Sequence, residues 1–480
     1  MKIYTKSGCL IAGLFFMSAC AVNPVTGKKQ VVFMSEAQEI SMGKEADPQI
    51  IEQYGLYEDK ALQDFINERG KKMAAISHRS NLEYQFRILD SDVLNAFALP
   101  GGYVYFTRGI MAYFNNEAQF AGVLGHEIGH ITARHGVAQQ RNAMLGQVGL
   151  IAGMVVAPKL ADFAEQASQG MGLLLLKFGR DDERQSDALG VEYSSKIGYD
   201  ATEMAGFFTT LERDQAKSGA QALPDFLSSH PNPGDRHIAV EKLATDWKQK
   251  LQLSNPEVNR NTYLKRIEGL IYGADPKQGF VENNVFYHPV LKFQFALPKD
   301  WAYQNTPQRV QMAPKDGKAL VFMTLAQGKT LDEAANGILS KNNLNLLESK
   351  EVKVNGLNAR AITAEPKTQQ QEPIRTLSYL IQYGDTIYHI LGVSTTADFS
   401  KYSPDFSSTM ESFKELKDLT KLNKKPERIR VKTVQQDGTL EQALKSYKVD
   451  AKRMEEFSIL NGLKLSDNVS KGSLIKVVEE

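Results

Sequence analysis

The stretch His126-Glu127-Ile128-Gly129-His130 constrains this chain more than any other. Two histidines four residues apart lie on one face of an α-helix, so both imidazoles can reach one ion. Glu127 sits too far round that helix to be a ligand. It is placed to take the proton of a water held at the metal. The surrounding residues Leu124, Gly125, Ile128, Gly129, Ile131 and Thr132 are uncharged, as a helix buried around a metal requires. Asn115 or Asn116 can cap it. Gly125 and Gly129 each cost about 1 kcal/mol relative to Ala in a helix interior. That cost implies close packing, or room for metal and substrate.

Catalytic zinc usually takes three protein ligands and one water. On a continuing helix, His135 would point about 140° away from His130, which makes it an exposed histidine or one behind the ligands. A better source of a third ligand is Asp181-Asp182-Glu183-Arg184-Gln185-Ser186-Asp187-Ala188. Glu183 and Asp187 are again four residues apart. Glu183 can bind the metal while Asp187 accepts a ring N–H from a ligand histidine and fixes its orientation. Glu192 and Glu203 are rivals on spacing, and spacing alone leaves the choice open.

The chain has 480 residues, too many for one core, and domains of about 100–200 residues imply two to four units. A net charge of +1 supports no nucleic-acid partner. The only two cysteines, Cys9 and Cys20, lie in the first twenty residues. Lys2 and Lys6 precede a short apolar run, Leu10 to Met17, too short to span a bilayer permanently. Met17-Ser18-Ala19-Cys20 resembles a bacterial lipobox, with Met where Leu is usual. Residues 1–19 are therefore expected as a lipoprotein signal peptide and Cys20 as the lipidated residue. Ala21 is not the Asp that often retains lipoproteins at the inner membrane, so the expected tether is the outer membrane, facing the periplasm.

Residues 20–50 read as a tether followed by a helix start, with a capping box at Ser35 and Gln38. Residues 51–250 hold the metal motif. They include a helix from Ala61 to Ala75 and strands at Tyr84 to Leu89 and Tyr103 to Thr107. Pro100-Gly101-Gly102 lets backbone approach closely. Residues 251–280, rich in Asn, Pro and Gly, read as a linker. Residues 281–415 read as an α+β domain with strands such as Val290 to Leu297, Ala319 to Leu325 and Thr386 to Val393. Its helices lie near Leu331 to Leu339 and Asp405 to Phe413. Residues 416–429 read as a second linker. Residues 430–479 read as a βααβ unit similar to a LysM module, although Asp437-Gly438 reverses the usual Gly-Asp order.

HExxH followed some fifty residues later by Glu183-x-x-x-Asp187 resembles the metallopeptidase family of the CAAX prenyl protease, HtpX and BepA. Asn95-Ala96-Phe97-Ala98-Leu99-Pro100-Gly101-Gly102 and Ser229-His230-Pro231-Asn232-Pro233-Gly234-Asp235-Arg236 also match family segments. The resemblance covers about residues 30–245 and is nearest to the periplasmic, BepA-like members. Their tetratricopeptide repeats are not apparent here. It implies an α+β fold, a mainly helical gluzincin domain with a small sheet, ahead of the α+β and LysM-like domains. It implies one zinc held by His126, His130 and Glu183, with Glu127 as base and Asp187 behind a ligand histidine. For His230 it implies a loop position near the metal that can take the water's place and hold the site off. A competing role is a hydrogen bond to the transition-state oxyanion.

Three further expectations concern substrate access. Residues 141–180, with Leu173 to Leu176, read either as a buried helix pair or as a lid with glycine hinges. Tyr103, Val104 and Tyr105 read as an edge strand that pairs with an extended substrate. Arg236 reads as pairing with a carboxylate or binding the substrate backbone. The expected function is a zinc endopeptidase of the bacterial cell envelope acting on misfolded or stalled polypeptides. The first alternative is a chaperone-like factor working with outer-membrane protein assembly machinery, with proteolysis gated or minimal. The second is a peptidoglycan hydrolase targeted by the LysM-like module.

Overall fold

A computed structural model of the chain describes residues 19–32, 34–139, 178–218, 226, 230, 236–307, 309–367 and 373–480. The signal segment, apart from Ala19, and residues 141–177 of the expected lid lie outside the described residues.

The described residues begin with a two-stranded ribbon, β1 (Ala19–Val22) and β2 (Lys29–Val32), so the backbone of Cys20 lies in a strand. Helix α1 (Glu36–Tyr54) starts at the expected capping box: the Ser35 hydroxyl accepts from the Gln38 N–H, and the Gln38 side chain accepts from the Ser35 N–H. Helix α2 (Lys60–Ala74) is capped by Asp59. A small mixed sheet follows, made of β3 (Gln85–Leu89), β4 (Ala96–Leu99) and β5 (Tyr103–Thr107). The strand order is β3-β5-β4, with β5 parallel to β3 and antiparallel to β4. Gly101 and Gly102 in the β4–β5 turn have φ of 88° and 106°. A side chain on Gly101 would meet the α1 backbone at Glu39 and Ile40, so the close approach read from Pro-Gly-Gly is made to α1.

Helices then dominate: α3 (Arg108–Tyr113), α4 (Glu117–Thr132), α5 (Arg180–Lys196), α6 (Glu203–Ser218), α7 (Arg236–Lys250) and α8 (Arg260–Arg266). Asn116 caps α4 through its side chain and the Gln119 N–H. Every residue of α4 is buried, so this helix runs through the core with neighbours on all sides. It packs along α5.

Residues 251–280, expected as a linker, are part of this core. Tyr263, Leu264, Ile267, Leu270 and Ile271 are buried with the residues around α4. The Asn, Pro and Gly clusters mark turns between buried segments rather than a free connection.

The next region is α+β, as expected. A four-stranded sheet has the order β16-β8-β7-β6, from β6 (Phe280–Glu282), β7 (Val285–His288), β8 (Phe293–Ala296) and β16 (Lys414–Glu415). The expected strand from Val290 begins only at Phe293, because residues 289–292 form the turn. A seven-stranded antiparallel sheet has the order β12-β13-β14-β15-β11-β10-β9. Its strands are β9 (Ala302–Thr306), β10 (Arg309–Ala313), β11 (Ala319–Ala326), β12 (Leu344–Val354), β13 (Leu357–Pro366), β14 (Ile374–Tyr383) and β15 (Thr386–Thr395). Alternation along β14 separates its two faces. Leu380 packs with Ala334 and Ala335 of α9 (Leu331–Lys341). Tyr379 and Ile381 pack with Phe406 of α10 (Phe399–Glu411).

The segment 416–429 is also no free linker. It carries α11 (Leu419–Leu422), the buried residues Leu416 and Ile429, and a hydrogen bond from the Ile429 N–H to the Leu270 carbonyl. The C-terminal unit has the expected βααβ order: β17 (Arg428–Thr433), α12 (Leu440–Ser446), α13 (Met454–Leu460) and β20 (Leu474–Glu479). A short pair, β18 (Gly438–Thr439) and β19 (Asn468–Val469), ties its turns together. Its apolar residues belong to the same continuous core as α4. The expected separate module is thus packed against the metal-motif domain.

Candidate metal centre

The centre is built where α4 and α5 touch. His126 and His130 project from one face of α4, and their Nε2 atoms lie 3.0 Å apart. Glu183, in the first turn of α5, places its carboxylate 3.4 Å from His130 Nε2 and 3.6 Å from His126 Nε2. His230 enters from the segment before α7, with Nδ1 3.2 Å from His126 Nε2 and 3.0 Å from Glu183 Oε1. Donor atoms of His126, His130, Glu183 and His230 all lie within 4.8 Å of one another. The rivals Glu192 and Glu203 are not among them: Glu192 pairs with Lys196, and Glu203 accepts from Asn116 Nδ2.

All four donors, and Glu127 with them, are fully buried or nearly so. Both Glu127 oxygens, Glu183 Oε2 and His230 Nε2 lack a hydrogen-bond partner. Buried polar atoms are normally satisfied, and three imidazoles with one carboxylate are a donor set that suits zinc. The residues present fit one zinc ion, which His126, His130 and Glu183 could hold. Glu127 is not one of the converging donors. Its carboxylate lies beside them, 3.7 Å from His230 Nε2. Burial pushes its carboxyl up to about 7, with Glu183 adding to the shift and His230 and Arg236 opposing it. Burial also raises Glu183, but His230, His130 and His126 together pull it well below the ordinary carboxylate range.

Asp187, one turn beyond Glu183, lies 2.9 Å from His126 Nδ1 through Oδ1. Arg236 holds it in turn: Nε donates to Oδ2 and Nη2 to Oδ1, both at 2.7 Å. The guanidinium also lies 3.2 Å from Glu183 and packs 4.0 Å over the Phe208 ring. Arg236 is 1% exposed, so it does not bind a substrate backbone; it is consumed by carboxylates. Asp187→Asn keeps the shape but weakens both the ring contact and the Arg236 pair. Zinc affinity is expected to fall roughly 10- to 100-fold, read by competition with a chromogenic chelator.

Other readings are corrected by the geometry. Tyr103, Val104 and Tyr105 lie in the central strand, paired on both sides, so no edge is left for a substrate there. Tyr105 instead donates to Asp47. Among the described residues, the outer edge of this sheet near α4 that pairs with no strand belongs to β4. Of the two places expected for His135, exposed or behind the ligands, it takes the second and is buried. Arg134 adopts φ 61°, which ends the helix and turns His135 back, with Nδ1 3.1 Å from His130 Nδ1 and Nε2 2.9 Å from Gln185 Oε1. Phe178 and Phe226 were not foreseen. Phe178 lies 3.9 Å from the His130 ring, and Phe226 stacks 4.4 Å from the His230 ring. No sequence pattern near either one signals that contact.

Two histidines and a glutamate on one buried helix, with a second glutamate converging from the next, form an arrangement of the HExxH type that could hold a metal ion. Residues 60–244 match the model of Peptidase family M48. The chain is 28% identical over 328 residues to the beta-barrel assembly-enhancing protease of Yersinia pestis, covering 65% of this chain and 61% of that protein. It is 29% identical over 332 residues to the protein of that name in Escherichia coli (strain K12), covering 66% and 62%. It is 30% identical over 177 residues to the mitochondrial metalloendopeptidase OMA1 of Arabidopsis thaliana, covering 36% and 34%. The chain thus spans less than two thirds of the length of these relatives. No helix among the described residues is long and apolar enough to cross a membrane.

Proposed function

We propose that the chain is a zinc-dependent endopeptidase of the bacterial cell envelope that cleaves misfolded or stalled polypeptides. The observation that carries this reading is the convergence of His126, His130 and Glu183 beside an unpartnered, buried Glu127. Zinc held by these residues would lower the pKa of a bound water to about 7 and polarise the scissile carbonyl. Glu127 takes the water's proton and returns it to the leaving amine nitrogen. Asp187 fixes the His126 ring, and Arg236 fixes Asp187. The outer edge of β4, free among the described residues, is suited to pair with an extended substrate, which would give tolerance of sequence.

A gated form of this activity is favoured by the position of His230. It stands within the donor set, stacked on Phe226 and near Phe178. A fourth protein donor closes a catalytic zinc site, which needs one open position. His230→Ala is expected to raise casein hydrolysis over wild type. If the open state is a minor one, populated at about 10% or less, the gain is roughly tenfold or more. A fall in activity would instead assign His230 to the oxyanion. Casein left intact by wild type, by His230→Ala and by both with added zinc would remove the peptidase reading and favour a chaperone-like role in outer-membrane protein assembly.

The finer placement is also proposed: a lipid on Cys20, tethering to the outer membrane on its periplasmic side, and glycan contact through the LysM-like unit. The lipobox-like Met17-Ser18-Ala19-Cys20 supports the first two, and the βααβ order supports the third. Release of peptidoglycan fragments by wild type but not by Glu127→Gln would make the chain a glycan-directed hydrolase instead.

A further inference from the structure

The C-terminal unit meets the segment just before the metal helix at a buried lysine. Lys476, in β20, is fully buried, and its Nζ donates to the carbonyls of Ala112 at 2.7 Å and Phe114 at 3.0 Å. These carbonyls lie at the C-terminal end of α3, where four backbone acceptors lack partners within the helix and a cation is favoured. Arg260 completes the seam: Nη1 donates to the Asn115 carbonyl at 3.0 Å and Nη2 to the Leu474 carbonyl at 3.2 Å. The lysine's own backbone is fixed by Asn461, which accepts from the Lys476 N–H and donates to the Lys476 carbonyl. On α6, Arg213 holds the same unit through the Leu463 carbonyl and Ser458.

The residues held this way lead directly into α4. Asn115 N–H donates to Gln119 Oε1, Asn116 caps the helix, and Asn116 Nδ2 donates to Glu203. His126 follows about two and a half turns later on a helix with no free face. Burying a lysine without partners is costly. Burial and the nearby Arg260 hold the Lys476 ammonium well below its ordinary pKa. A strand that only closed a separate module would gain nothing from such a residue.

We infer that residues 428–479 form a built-in brace of the peptidase domain, and that Lys476 is a positioning residue that sets the start of the metal-binding helix. The inference rests on the zinc reading of the site, but its test needs no substrate. The experiment compares full-length zinc-loaded wild type, Lys476→Met and Lys471→Met by hydrogen exchange and by zinc release to a chelator. Lys476→Met keeps the aliphatic stem and removes the ammonium. Amides of residues 112–124 are expected to exchange about tenfold faster or more, and zinc to leave correspondingly faster. Residues 374–395 in the middle domain keep wild-type protection. The exposed Lys471→Met matches wild type in both readouts. Wild-type exchange and zinc retention in Lys476→Met would overturn the inference. So would a uniform rise in exchange across the chain, which would make Lys476 a general stability residue. If Lys476→Met does not fold, Arg260→Gln decides by the same readouts. An enzyme inert on casein would defeat the proposed function and leave this result untouched.

Discussion

Glu127→Gln is expected to reduce casein hydrolysis to background while zinc stays bound. Glutamine fills the same volume but accepts no proton from water. Loss of a positioned general base costs typically about 10²–10⁴-fold, and here the same carboxylate serves as base and then as acid. Zinc is retained because the converging donors are His126, His130, Glu183 and His230, and Glu127 is not one of them. The fold is also retained. Both Glu127 oxygens lack partners, and burial already disfavours the charged form. A neutral amide therefore costs no more than the carboxylate it replaces. Turnover, zinc content per chain and the melting temperature together check this. Full activity in the glutamine variant would place the base elsewhere. Loss of zinc with activity would make Glu127 a ligand.

What could be read from sequence was local. The caps at Ser35 and Asn116 are set within four residues of the helices they start. The i, i+4 spacings of His126 and His130, and of Glu183 and Asp187, fix side chains on one helical face whatever surrounds them. The strand read at Thr386 to Val393 falls within β15. Failures came where a long-range partner decides. Whether Tyr103 to Tyr105 is an edge depends on which strands arrive on either side, and both β3 and β4 do. For His135, spacing left two places open, and the choice depends on a positive φ at Arg134, a residue type that does not announce one. Residues 251–280 carry turn residues and buried apolar residues together, and composition averages the two. Lys476 is the clearest case. A lysine in a terminal strand reads as facing water, and only the carbonyls of Ala112 and Phe114, more than 360 residues away, give it a place inside.

Gly190→Val is expected to lower stability by about 3 kcal/mol, the upper end for overpacking, and to release zinc. Glycines in α4 can serve close packing or leave room for ligand, and the contacts answer for packing. A Cβ on Gly190 would lie 2.9 Å from the Gly122 carbonyl oxygen and 3.0 Å from His126 N. A Cβ on Gly125 would lie 2.9 Å from the Gly190 carbonyl oxygen. The neighbours are backbone, so no side chain can rotate aside, and α4 must move away from α5. His126 and His130 ride on α4 while Glu183 and Asp187 ride on α5, so the shift separates ligands that meet only at this contact. For a domain of this size each kcal/mol is about 2–4 °C in melting temperature. The expected drop is therefore roughly 6–12 °C, with zinc lost at chelator concentrations that wild type resists. Gly337→Ala gives the contrast. A Cβ there meets nothing within 4 Å in α9, so helix propensity alone predicts a gain of up to about 1 kcal/mol and unchanged zinc. If Gly190→Val melts like wild type and keeps its metal, the α4–α5 contact does not set the ligand geometry. The rigidity of the centre would then have to come from the Asp187–Arg236 pair alone.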